Sequence, residues 1–354
     1  IYISENKIDA NVSIIDKFRP ELIQSVALVN LLLNKWYEPP DTGLFHLSTL
    51  VQQILSVIAQ YGGFQADQGW GLLCQNGFFR NITPKLFAIL LKNLGEKDII
   101  NQDHDGTIVI GEIGERIVNH YTFYAAFSTP EEYRLEVERK TLGTLPIDSP
   151  LSNGSYLIFA GRRWEVLDIN EESKTIQLKH AIGGKVPKFS GQGMMVHDTI
   201  REEMKRVLMS SEHPIYLDKA AIGLLDEARR CFNQYKLEKE MIVDEGNSVY
   251  IFPWQGDKTL NSFLLEMREL GLKAWKTGFL IKIEKCNKQE LKTIVNQRIQ
   301  GEEARASDLA STVGNKEYNK YDYLLGEELL CKDFASRSLS TSGSWQLFQD
   351  LYQN

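Results

Sequence analysis

Thr83-Pro84-Lys85-Leu86-Phe87-Ala88-Ile89-Leu90-Leu91-Lys92-Asn93-Leu94-Gly95 is followed, after Glu96 and Lys97, by Asp98-Ile99-Ile100-Asn101-Gln102-Asp103-His104-Asp105-Gly106-Thr107-Ile108-Val109-Ile110-Gly111. The first half carries the marks of a helix. The Thr83 hydroxyl can accept from an otherwise orphaned backbone N–H, and Pro84 fixes a helical φ where no N–H is needed. Leu86, Phe87, Leu90, Leu91 and Leu94 then recur on one face, and Gly95 is a stop. In the second half, Asp105-Gly106 between the β-rich runs 98–102 and 107–111 predicts a tight hairpin. Working upstream, Ser48 is placed to cap a helix over 49–61, which Gly62-Gly63 terminates, and a short second helix covers 66–74. Downstream, a last short helix covers 112–120. Three helices followed by a hairpin is the winged form of helix-turn-helix, here over 46–122. Its third helix and wing are the elements that usually meet nucleic acid.

The flanking segments complete an expected α+β multidomain chain, in which the winged helix is followed by a small β-barrel and an α/β unit. Residues 1–45 form a helical linker. Its helix, 20–36, is apolar on more than one face and ends before Pro39 and Pro40, which cannot donate the next hydrogen bond. Short strands at 142–145, 155–160, 164–169 and 174–179, separated by turn residues, predict a β-barrel-like domain over 123–200. Helices at 197–209 and 217–235, a strand at 249–252, a helix at 259–270 and a strand at 279–283 predict the α/β unit, 201–300. Residues 301–354 read as a polar linker and a C-terminal helix at 326–337 with a frayed end.

Composition excludes several classes. The apolar runs 28–33 and 86–91 fall far short of the roughly 20 residues a membrane span needs. No secretory leader is visible, so a cytoplasmic setting is expected, and a start on Ile1 rather than Met reads as a fragment. Cys74, Cys231, Cys286 and Cys331 fit no zinc spacing and read as buried thiols. The six histidines form no metal pair at helical spacing. There is no phosphate-cradling G-x-x-x-x-G-K-[ST] run. Leu224-Leu225-Asp226-Glu227-Ala228-Arg229 imitates a magnesium-holding box but lies in a helical pattern, and 103–106 imitates a calcium loop but reads better as the hairpin turn. No catalytic residue or metal site is assigned.

The net charge of −7 does not advertise a nucleic-acid binder, yet two segments are locally basic. Between residues 80 and 97, Arg80, Lys85, Lys92 and Lys97 outweigh Glu96; between 161 and 188, six cations outweigh four acids. Cationic side chains neutralise phosphates and release counterions, and flat aromatic rings stack on unpaired bases. Gly161-Arg162-Arg163-Trp164 reads two ways. Either Arg162 and Arg163 clamp a phosphate while Trp164 stacks a base, or Trp164 is a core residue between solvated arginines. Lys185-Val186-Pro187-Lys188-Phe189 reads either as a second such contact or as a polar loop. Lys85 and Lys92 on the third helix, and Gln52 on the first, are the remaining candidate nucleic-acid contacts, with a protein-facing winged helix as the alternative.

Several runs in order resemble one family. They are Arg19-Pro20-Glu21-Leu22-Ile23-Gln24, Lys35-Trp36-Tyr37-Glu38-Pro39-Pro40, His46-Leu47-Ser48-Thr49-Leu50-Val51-Gln52-Gln53-Ile54-Leu55, Phe123-Tyr124-Ala125-Ala126-Phe127, Leu142-Gly143-Thr144-Leu145-Pro146, Phe159-Ala160-Gly161-Arg162-Arg163-Trp164 and Phe252-Pro253-Trp254-Gln255-Gly256. Together with 323–330 they look like the region after the motor in superfamily 2 DEAD/DEAH-box helicases of the Lhr (large helicase-related) type. The resemblance spans almost the whole chain. It implies a parent that translocates 3′ to 5′ on single-stranded DNA, uses ATP and magnesium in RecA-like lobes outside these residues, and meets single-stranded DNA or a DNA/RNA hybrid here. It implies that residues 1–45 follow the second RecA-like lobe, and that Trp164 matches the aromatic that stacks on the tracking strand. Phe189 stands where the family often has a Phe-Trp pair. The expected function is therefore a strand-gripping accessory region, in which Trp164→Ala weakens binding with little loss of stability. The alternatives are a protein-docking scaffold of a helicase complex and a DNA-glycosylase-like base-modifying module, which would need a carboxylate in a base pocket.

Overall fold

Pro20 begins helix α1 (Pro20–Leu33) at its first turn, directly after a 3₁₀ turn at Asp16–Phe18. The structure, a computed structural model, describes residues 3, 13–126, 132–138, 140–146, 156–160, 162–170, 173–181, 195–314 and 316–353. The chain is mixed α/β and divides into two compact units, one made of 1–120 with 195–354 and the other of 121–194. No helix is long and apolar enough to cross a membrane.

In the first unit, α1 is followed by α2 (Leu47–Tyr61), the short α3 (Ala66–Trp70) running into a π turn at Gly71–Gln75, and α4 (Pro84–Glu96). Strands β1 (Ile100–Gln102) and β2 (Ile108–Ile110) pair antiparallel with Asn101 opposite Val109, and α5 (Glu112–Val118) follows. Phe64 bridges β2 at Ile108, adding a third short segment to the hairpin. Leu50, Ile54, Leu55 and Ile58 of α2 are buried, as are Leu86, Phe87, Leu90 and Leu94 of α4. The order of elements is the expected one, but one cap is corrected: α2 begins at Leu47 after His46, and Ser48 lies buried inside the helix, its Oγ accepting from Tyr321 N–H (2.9 Å) instead of capping the helix start.

The rest of the unit is built on an antiparallel four-stranded sheet, ordered β10-β11-β9-β8. Its strands are β8 (Ile242–Glu245), β9 (Ser248–Ile251), β10 (Lys273–Thr277) and β11 (Leu280–Glu284). The period-two alternation of a strand gives it two apolar faces. Val243 and Leu280 join a core with Phe18, Leu22, Val26, Phe232 and Trp254, which takes in α1, α6 (Asp198–Met209) and α7 (Lys219–Gln234). Val249, Ile251, Ile281 and Ile283 join the other core with Leu260, Phe263 and Met267 of α8 (Asp257–Glu269), Leu291 of α9 (Lys288–Arg298), and Leu347, Phe348 and Leu351 of α12 (Thr341–Gln353). The expected strand–helix–strand unit is thus two hairpins around α8.

Two expectations for the C-terminal part are corrected. The polar linker expected ahead of the helix at 326–337 has structure of its own: α10 (Ala306–Ser311) packs on α11 (Glu327–Ser338), and Tyr321 and Asp322 are buried. The expected frayed end is instead helix α12 through Gln353, which packs Leu347, Phe348 and Leu351 into the sheet core and buries Ser344, whose hydroxyl donates to Glu266 (2.6 Å). The magnesium-box imitation is a helix face, as expected: Asp226 faces solvent beside His213, and Arg229 is drawn inward to the Val207 and Glu212 carbonyls.

The second unit holds β3 (Glu132–Val137), β4 (Lys140–Pro146), β5 (Tyr156–Phe159), β6 (Arg162–Asn170) and β7 (Thr175–His180), in the order β4-β3-β7-β6-β5. Pairing is antiparallel except between β3 and β7. The expected barrel is corrected: among the described residues no ladder joins β4 to β5, so the sheet is open. It nevertheless coils, since a Cβ on Gly143 of β4 would lie 2.7 Å from the Phe159 ring of β5. Strand β3 was missing from the expected set.

Candidate nucleic-acid interface

The turn leading into α4 is built by its own residues. A Cβ on Gly77 would lie 2.3 Å from the Leu73 carbonyl oxygen, so only glycine lets the chain fold back this tightly on the π turn. Phe79 N–H donates to Leu73 O (3.3 Å), and the buried side chains of Phe79 and Ile82 anchor the loop. Trp70 Nε1 donates to Ile82 O (3.0 Å), and Asn81 Nδ2 donates to the carbonyls of Thr42 and Leu44. Thr83 Oγ1 then accepts from Leu86 N–H (3.2 Å), as its capping role requires.

On the face of α4 turned from the core, Lys85 and Lys92 are exposed, and Arg80 is exposed just before it. Lys92 sits 3.8 Å from Glu96 with both side chains largely solvated, a weak pair. Lys85 lies near Glu328, whose carboxyl is held below its usual range first by Lys332 and then by Lys85. Lys97 is engaged otherwise: its ammonium donates to the Tyr323 and Leu325 carbonyls and ties α4 to the segment before α11. Three of the four expected cations therefore face solvent.

Beside them, a cleft of about 550 Å³ lies between α3, α4 and β1, walled by Trp70, Phe87, Leu91 and Ile100 and rimmed by Asp67, Lys92, Asn101 and Gln102. Asp67 is its one carboxylate, exposed and accepting from Gln68 N–H (2.8 Å) at the start of α3. The hairpin tip is acidic. Asp105 Oδ1 accepts from Thr107 N–H (2.9 Å), which holds that carboxyl below its usual range. Asp103 and Asp105 thus set a negative tip on the hairpin, where Gln65 Nε2 donates to Asp105 O and Thr107 Oγ1.

Two expected contacts are corrected. Gln52 is only 6% exposed; it lies on the inward face of α2, its Oε1 accepting from Gln53 Nε2 (2.9 Å). Trp164 is also 6% exposed and packs with Leu135, Val166, Ile176 and Leu178. Its Nε1 donates to Phe159 O (3.2 Å), and its ring meets His180 edge-on at 5.5 Å. An indole enclosed in this way offers no face to a base, so the core reading of the Gly-x-x-Trp corner is the one the geometry follows. Arg162 is exposed on β6 opposite Phe159. The side chain of Arg163 lies outside the described residues, as do Lys185, Lys188 and Phe189.

Sequence reasoning passed over Phe78. Phe78 and Phe79 are adjacent and identical, yet Phe79 is buried and Phe78 is 99% exposed. No periodicity separates them, because they lie in a turn. The one available signal was Gly77, which marks where the chain reverses. Among the described residues no cluster of three or more His, Cys, Asp or Glu could hold a metal ion. In comparisons with known proteins, no family model matches the chain, and no curated protein or solved structure is significantly similar to it.

Proposed function

We propose that this chain is an accessory region of an Lhr-type superfamily 2 helicase, in which residues 46–122 act as a winged helix that grips single-stranded DNA or a DNA/RNA hybrid while RecA-like lobes elsewhere hydrolyse ATP with magnesium. The observation that carries the reading is the outward face of α4, where Lys85 and Lys92 project from a helix packed beside a hairpin and Arg80 is exposed in the turn just before it. Cations fixed on a rigid helix form a phosphate-tracking surface. The acidic hairpin tip directs a phosphate chain along α4 rather than over the wing. Trp164 has no part in this grip. The test is anisotropy of a labelled single-stranded oligonucleotide over a salt series. The affinity of the chain should fall steeply with salt, and replacing both Lys85 and Lys92 by Gln should flatten the slope by roughly 0.7 for each phosphate no longer neutralised. Absence of binding at low salt would sink the reading.

A second reading, the docking scaffold, is favoured by α1. Leu28, Leu32 and Leu33 are exposed on its outer face, and a cleft of about 320 Å³ nearby is lined by Leu33, Pro214, Ile215 and Tyr216. Exposed apolar side chains gathered in one place mark an interaction surface. We assign this face to the RecA-like lobes. Leu32→Lys with Leu33→Lys should abolish binding of a separately produced motor fragment while leaving oligonucleotide affinity unchanged.

A further inference from the structure

Resting on the nucleic-acid reading of α4, we propose that Phe78 is a base-stacking residue, making this interface selective for unpaired over paired nucleic acid. A phenylalanine almost wholly in water is a cost to the isolated chain. The loop does not relieve that cost but is shaped to hold the ring out. Gly77 sets the reversal, and buried Phe79 and Ile82 pin the far side. A ring held out on an anchored turn loses little freedom when a partner covers it.

The surroundings choose the partner. From residue 68 to residue 95 the chain contains no Asp or Glu, while Arg80, Lys85 and Lys92 fall within that span and are exposed. The acids beside these cations, Glu96 and Glu328, sit by Lys92 and Lys85, and Asp67 lies on the cleft rim at the start of α3; none of the three is in the loop. Arg80, two residues after Phe78, supplies a guanidinium for the phosphate next to a stacked base. A polyanion with flat apolar faces meets both demands. A duplex presents only phosphate here, since its bases are already stacked on one another.

The test uses the full chain with a labelled oligothymidine strand and a duplex of the same length. Binding should favour the single strand. Phe78→Trp should keep the affinity, and its indole fluorescence should be quenched on binding. Phe78→Leu and Phe78→Ala should each lose about tenfold, in keeping with one stacked base, with the salt slope and melting temperature unchanged. Arg80→Gln should reduce the slope instead. If Phe78→Ala binds as tightly as the parent with the same salt slope, the stacking role falls while the grip stands. If Phe78→Leu keeps full affinity and only Phe78→Ala loses it, the ring fills an apolar pocket in a partner and stacking is overturned. If the parent chain binds no oligonucleotide at low salt, both readings fall together.

Discussion

Truncating Trp164 empties the space among Leu135, Val166, Ile176 and Leu178 and strips the Phe159 carbonyl of its donor. Trp164→Ala should therefore cost about 3–5 kcal/mol of stability in its own unit, read by urea unfolding. Oligonucleotide affinity measured well below that transition should be unchanged. A large loss of affinity with an unchanged midpoint would contradict an enclosed indole. The four cysteines follow the same logic of enclosure. All are buried, and burial pushes the thiols of Cys74 and Cys231 up to about 11. Since the thiolate is the reactive form, a disulfide-exchange reagent at pH 8 should label none of the four in the native state and all of them in urea. For single residues the sequence was informative about thiols and cations but not about rings. Local order cannot tell which of two neighbouring phenylalanines turns inward, nor that a tryptophan beside two arginines is enclosed in the core of the five-stranded sheet it belongs to.

Among elements, the cap of α4 and the hairpin turn were readable, whereas Ser48, expected to cap α2, is instead held within that helix by distant Tyr321. Thr83, Pro84 and Gly106 act through bonds within a few residues, so their contexts sufficed to place α4 and the hairpin. Thr83→Ala should cost about 1 kcal/mol, seen as a lowered thermal midpoint with the fold intact. Pairings between distant segments were not readable. Strand β3, Glu-Tyr-Arg-Leu-Glu-Val, alternates well enough, but its parallel partner β7 begins at Thr175. The junction of α2 with α11 was likewise invisible. Asp333 Oδ1 accepts from Leu47 N–H (3.0 Å), and Arg337 Nε lies 3.0 Å from Asp333 Oδ2. Burial raises the Asp333 carboxyl above the ordinary 3.8, against the opposing pull of Leu47 N–H and Arg337. The native state thus keeps this proton to higher pH than the unfolded chain does. Its contribution to stability is full below 3.8 and is lost as pH rises through the native value. Asp333→Asn keeps an acceptor for Leu47 and removes the titration, so urea midpoints should vary less with pH above 3.8 than in the parent. An unaltered pH profile would exclude Asp333 as the source.

The whole molecule has cores of very different size. Among the described residues, the core cluster of the five-stranded sheet in the 121–194 unit holds five buried side chains and four partly buried ones, whereas each face of the four-stranded sheet in the other unit buries a larger set. Apolar burial scales stability, so calorimetry should resolve two transitions, with the 121–194 unit melting first. Trp164→Ala should lower only that transition; a single cooperative peak moved bodily by the substitution would contradict the division. The units also differ in continuity along the chain. The smaller is one uninterrupted stretch, while the larger needs α1 near one end, the sheet, and α12 near the other. On a ribosome all the described strands of the small unit are available once residue 180 has emerged. The larger must keep Leu22, Ile23 and Val26 waiting until α6 and α7 appear, and its sheet core stays open until Phe348 and Leu351 are made. Late arrival of the closing helix leaves greasy surface uncovered for much of synthesis, so the nascent larger unit should be more prone to aggregation than the small one.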